Sequence, residues 1–297
     1  MSITTHEQDY ADLKRAYDLL ESPSLSIQLA SLIGAPIEKL VDKLPEGAHS
    51  KVQKVIEAAF EKSMTVALGS MNNEPREASP RMHKALSALS GGVGGFFGFA
   101  ALLVELPIST TIMMRAVMDI ARSEGFDIND LDTKRACLQV FTLGGPGSKD
   151  DASETGYYLS RGFTAQLANQ LSRELAGVAG KQVVDVGSNV VTRQLAAQVG
   201  NLSPVQISNT ISKLIQTVAE RFGVQITEKM ALQAAPVFGA VSGATLNVMF
   251  TDFYQAMARG HFIMMRLEQK YGREPVYTAY TALKEKYEKK AGQAGEL

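Results

Sequence analysis

Residues 85–125 read ALSALSGGVGGFFGFAALLVELPISTTIMMRAVMDIARSEG, and this stretch decides the fold class. Ala85 to Val104 carries no charge and mixes glycine with Phe96, Phe97 and Phe99. Behind it Ile112, Met113, Met114 and Met118 surround a helix with a narrow charged line, and Gly125 is its natural stop. The stretch has helical punctuation and little strand alternation.

A second uncharged window runs from Ala231 to Thr251. Sliding the chain by 147 positions sets Gly92 over Gly239, Glu105 over Asp252, Met118 over Met265 and Gly125 over Gly272. Each copy then reads as a Gly-rich apolar segment, an acidic residue, a Met-rich helix and a terminal glycine, which suggests pseudo-duplicated halves at 85–125 and 231–272.

Outside these halves the pattern is again helical. Ser22-Pro23 and Ser203-Pro204 fit an N-cap followed by proline at the first helical position. Ser50-Lys51-Val52-Gln53 fits a capping box before a helix ending at Gly69. Ile207, Ile211, Leu214, Ile215, Val218 and Phe222 share one face of a helix that Gly223 would terminate. Residues 71–80 and 143–155 read as loops, and the charged tail 284–297 as fraying. The expectation is an all-α, multi-helix globular bundle, one domain over residues 1–297 with a core of about residues 20–283, and the two Gly-rich segments packed centrally.

Composition narrows function. Of 297 residues, 45% are apolar and 21% charged; Lys+Arg number 30 against Asp+Glu 31, a net charge of -1. Binding nucleic acid needs a clustered basic excess, so that partner is excluded. The start MSITTHEQDY lacks a basic, then apolar, signal pattern, and the one cysteine cannot form an internal disulfide. The expected location is cytoplasmic, with room for peripheral attachment to the inner membrane.

Gly91/Gly95, Gly94/Gly98 and Gly239/Gly243 have the glycine-zipper spacing that admits a close helix neighbour in lipid or in a dense core. Ser87, Ser90, Gln233, Ser242, Thr245 and Asn247 make each window marginal as a membrane span. Soluble core, membrane contact and a spanning pair therefore stay open. Arg115, Asp119 and Arg122 share one helix face, while Asp252, Arg259 and Arg266 recur every seven residues. This line is either a solvated stripe or a polar seam between the halves, with Arg115, Asp119, Arg259 and Arg266 as its members and Glu105 at its apolar end.

Catalytic signatures mostly fail. GGVGGFFG has Phe97 where a third glycine is required, and GGPGSKD lacks the Gly-Lys-Ser/Thr order of a phosphate loop. No serine elbow or zincin pair is present. His261 reads as a hydrogen-bonded structural residue and Cys137 as an inert core thiol. A composite site of Glu105, Glu154, Asp252 and His261 requires the fold to gather distant segments; no cofactor and no metal is expected.

Taken together, SPSLSIQLASLIGAPIEKLVDKLP (22–45), residues 91–125, DDASETGYY (150–158) and APVFGAVSGATLNVMFTDFYQAMARGHFIMMRLEQKYG (235–272) closely resemble the EcsC family of bacterial proteins. The family is named for a protein encoded beside an ABC transporter. The resemblance implies a helical protein associated with transport or the cell envelope, and it implies no reaction. The leading expectation is an accessory protein, peripheral to the membrane, contacting lipid or a transporter component through Phe96, Phe97 and Phe99. The alternatives are a hydrolase or metal-dependent enzyme using Glu105, Glu154, Asp252 and His261, and a carrier of lipid or acyl chains.

Overall fold

The computed structural model describes residues 3–34, 37–74, 77–94, 98–143, 157–158, 204–234 and 243–294. Among these there are ten α-helices and no strand. In chain order they are α1 (Glu7–Leu20), α2 (Leu25–Ile33), α3 (Glu38–Val41), α4 (Ala48–Ser70), α5 (Pro80–Gly94), α6 (Gly98–Ser123), α7 (Leu131–Val140), α8 (Pro204–Ala234), α9 (Gly243–Tyr271) and α10 (Arg273–Ala294). The all-helical expectation holds.

Local chemistry moved several boundaries. The cap of α2 is Ser24, whose hydroxyl accepts from the Ile27 N–H at 3.4 Å. Ser22, expected in that role, donates to the Leu19 carbonyl at the end of α1 instead. Helix α4 starts two residues before Ser50, because Gly47 turns the chain with φ +73° and Ala48 is already buried. Pro204 does open α8, but Gly223 does not close it. The apolar face continues from Val218 and Phe222 to Ile226 and Met230, all buried, so tertiary packing outweighs the ~1 kcal/mol that a mid-helix glycine costs. The tail holds helix to Ala294, and Tyr287 stacks on Tyr17 with centroids 5.2 Å apart. Gly125 and Gly272 do act as stops, with φ of 90° and 85°.

Helix α9 runs through the middle of the bundle, burying Leu246, Phe250, Tyr254, Met257, Phe262, Met264 and Leu267, with α1, α5 and α6 packed around it. Phe60 of α4, Phe141, Phe222 of α8 and Tyr254 of α9 form an aromatic centre with ring centroids 4.9–5.4 Å apart. Helix α1 approaches α9 closely at Gly260, where an added Cβ would stand 2.6 Å from Leu20 Cγ and 3.2 Å from the Ala16 carbonyl oxygen.

The two uncharged windows part ways. In the second, Ala231, Leu232, Leu246 and Phe250 are buried. In the first, Leu86, Leu89 and Val104 are exposed. Residues 95–97 and 239, which include Phe96, Phe97 and part of the glycine-zipper spacing, lie outside the described residues, as does the Phe99 side chain. No helix among the described residues is long and apolar enough to cross a membrane.

Candidate functional site

Helix α5 has its polarity turned outward. Among its described side chains the buried ones are His83 and Ser87, whereas Met82, Leu86 and Leu89 are 45%, 41% and 70% exposed. An amphipathic helix ordinarily buries the apolar face, since each large apolar side chain left in water forgoes about 1.5–3 kcal/mol. Here the inner face is held by polar contacts along its length. Gln255 donates to the Pro80 carbonyl at 3.1 Å, Lys84 pairs with Asp252, and the Ser87 and Thr251 hydroxyls lie 2.6 Å apart. On the adjoining α6, Val104 and Ile108 are 72% and 54% exposed and flank the inward-facing Glu105.

Beneath that surface four helices meet at a polar seam. Asn247 of α9 donates to Glu105 Oε1 at 2.6 Å, to Ser90 Oγ at 3.1 Å and to the Ser87 carbonyl at 3.2 Å. Lys229 of α8 donates to the Asn247 side-chain oxygen and lies 3.5 Å from Glu105 Oε2. Lysine, carboxylate and amide thus engage one another in a closed triangle, all buried. Burial pushes the Lys229 ammonium below its usual range, against the opposing pull of Glu105. Helix ends that flank 95–97 and 235–242 come together here, because Ser90 and Glu105 border the first segment and Lys229 and Asn247 the second.

A second buried cluster fixes the start of α5. Asp119 of α6 accepts from the Ser79 N–H at 2.6 Å and from Arg122, and His83 Nε2 lies 3.3 Å away. Burial alone would raise the Asp119 pKa, but His83, the Ser79 N–H and Arg122 outweigh it and hold it at about 2. Arg122 also donates to the Asn72 backbone and side-chain oxygens at 2.7 and 2.9 Å, fastening the loop before α5.

Of the residues named from sequence, Glu105 belongs to the seam and Asp119 to the second cluster. Arg259 and Arg266 are joined through Glu124 at 2.8 and 3.2 Å, with Arg266 also 2.8 Å from Asp12, so they tie α9 to α6 and α1. Arg115 is half-buried on α6. Asp252 is exposed beside Lys84, although the 147-residue offset pairs it with buried Glu105. His261 is buried with Nδ1 3.0 Å from the Tyr157 hydroxyl. Nine helical residues put Asp252 and His261 about 13 Å apart along α9, so they do not share one site. Among the described residues no three His, Cys, Asp or Glu side chains are grouped to hold a metal; Glu154 lies outside them. Cys137 is fully buried, which pushes its thiol far up and away from the reactive thiolate.

The stretches 91–125 and 235–272 meet at Glu105 and Asn247, while Tyr157 of the third meets α9 farther along at His261. The sequence places Arg122 in the charged line with Arg115 and Asp119, but singles out neither Lys229 nor His83. Lys229 falls on the face of Phe222 and Ile226, at spacings of seven and three, and that register is the signal that could have found it.

The model of the EcsC protein family matches residues 10–267. No curated protein and no solved structure matches the chain.

Proposed function

We propose that this chain, which belongs to the EcsC protein family, is an accessory protein that docks on a membrane surface through the outward apolar face of α5 and the neighbouring start of α6. The observation that carries the reading is the inverted polarity of α5: serine, histidine and lysine toward the bundle, Met82, Leu86 and Leu89 toward solvent. An apolar face of this kind commonly marks an interaction surface. Lipid suits it better than a protein groove because the chain from Ala85 to Val104 has no charge with which to select a partner. Attachment is peripheral, since no described helix is long and apolar enough to cross the bilayer.

In the reading's terms the buried clusters have a mechanical role. Asp119 and Arg122 set the N-terminal end of α5, and the Glu105–Lys229–Asn247 triangle supports its C-terminal end. The face is thereby presented on a rigid frame rather than on a loop. Association with a transport complex would follow from sharing the same membrane surface.

Flotation with vesicles of phosphatidylethanolamine and phosphatidylglycerol tests the reading. Wild type floats, and Leu86→Asp/Leu89→Asp stays at the bottom while its melting temperature changes little, because neither side chain belongs to the buried core. Loss of folding in that variant, or a wild type that never floats, contradicts it.

A further inference from the structure

Helices α5 and α6 run antiparallel as one hairpin, because Asp119 holds Ser79 and His83 at one end and Ser90 lies 3.5 Å from Glu105 at the other. The outer surface of this hairpin has a direction. Among its described side chains the most exposed apolar ones, Leu89 and Val104, lie at the Glu105 end, with Ile108 next to them and Met82 and Leu86 farther back. Its two surface arginines lie at the Asp119 end. Arg81 is exposed, falls between Ser79 and His83, and makes no ion pair among the described residues. Arg115 is half-buried, one turn before Asp119, and shares the helix face of Val104 and Ile108 to within about 40°. Between these arginines and the Glu105 end the described charges are paired, Lys84 with Asp252 and Glu105 with Lys229. Beyond the arginines, in the loop before α5 and the turn after α6, the described exposed charges are the carboxylates Glu74, Glu77, Asp127 and Asp130.

We propose that the hairpin enters the lipid surface obliquely, with Leu89 and Val104 deepest, and that Arg81 and Arg115 bind the phosphates of anionic phospholipids at the headgroup level. This rests on the membrane reading above and adds to it a headgroup class and an orientation. The order apolar, cationic, acidic along the hairpin is the order in which an anionic bilayer presents acyl chains, phosphates and repelled solvent-side charge. The spacing agrees. Eight helical residues from Arg81 to Leu89 and seven from Ile108 to Arg115 span about 10–12 Å, and on tilted helices that matches the roughly 5–10 Å to which an interfacial element sinks. Guanidinium forks suit phosphate oxygens, and their long stems let the charge stay at the surface while the neighbouring leucines go under. No part of the bundle has to move.

The full chain is floated with vesicles of phosphatidylcholine alone and of phosphatidylcholine mixed with phosphatidylglycerol. Wild type is expected to prefer the anionic vesicles. Arg81→Gln should weaken binding to them about fivefold and Arg81→Gln/Arg115→Gln about thirtyfold, with little change on phosphatidylcholine. Arg115→Lys, which keeps the charge, separates headgroup binding from packing and should bind like wild type. Depth is read from Val104→Trp and Met82→Trp with lipids brominated near the headgroup or deep in the chain. Tryptophan at 104 should be quenched more by the deep bromines, and at 82 more by the shallow ones. Equal binding to both vesicle types, or an Arg81→Gln variant that binds anionic vesicles like wild type, overturns the phosphate contact and leaves docking intact. Equal depth at 82 and 104 overturns the oblique entry. If wild type floats with neither vesicle type, the membrane reading itself fails, and this inference with it.

Discussion

The side-chain amide of Asn247 donates to the Glu105 carboxylate at 2.6 Å, joining α9 to α6 across 142 positions of sequence. Lys229 closes the arrangement from α8, so three helices share one buried polar contact while α5 lies over it. Taking one member from a buried ion pair leaves a charge without compensation, at about 3–5 kcal/mol, whereas replacing both partners with apolar side chains is close to neutral. Lys229→Met is therefore expected to lower the unfolding free energy by that amount. Lys229→Met with Glu105→Leu should recover most of it, as read from denaturant midpoints. A double variant no better than the single one would show that the pair is not coupled.

Asp119 gives the fold an acid limit. Its folded pKa is about 2, below the ordinary 3.8, so its contribution is fully present above pH 3.8 and disappears as pH falls toward 2. The loss expected over that window is about 2 kcal/mol. Urea titrations of wild type and Asp119→Asn at stepped pH should show the variant already destabilised at neutral pH and flatter between pH 4 and 2. Parallel curves would contradict the assignment.

At Gly260 the helices α1 and α9 approach closely. Gly260→Ala places a methyl 2.6 Å from Leu20 Cγ and 3.2 Å from a backbone carbonyl, so α1 must move outward. Overpacking of this kind costs about 1–3 kcal/mol, and a thermal melt should show it. Gly69→Ala, with open space around it and an ordinary helical backbone, is the matched control and should not destabilise.

Much of the architecture was legible in sequence for simple reasons. Helical periodicity in the Met-rich halves reflects a buried face, and Gly125 and Gly272 were recognisable as stops because they end periodic runs at left-handed turns. Glu105 stood out as a carboxylate beside an apolar stretch. Gly223 misled because local propensity was outweighed by continued burial of Ile226 and Met230, and that early stop removed Lys229 from view. The inversion of α5 was illegible in principle. Periodicity identifies an apolar face, but which way the face turns depends on the polar contacts made by Pro80, Lys84, Ser87 and Ser90 with a helix some 160 residues onward.

The chain contains no tryptophan, so a single one reports its own surroundings without background. The most direct test of the docking face is the fluorescence of Leu89→Trp with and without phosphatidylethanolamine–phosphatidylglycerol vesicles, using brominated lipid as quencher. Docking through α5 predicts a blue-shifted emission on adding vesicles and strong quenching by the brominated chains, with neither change for Tyr287→Trp on α10. Emission at position 89 that stays water-like and unquenched, in a protein shown to be bound to the vesicles, would contradict the account.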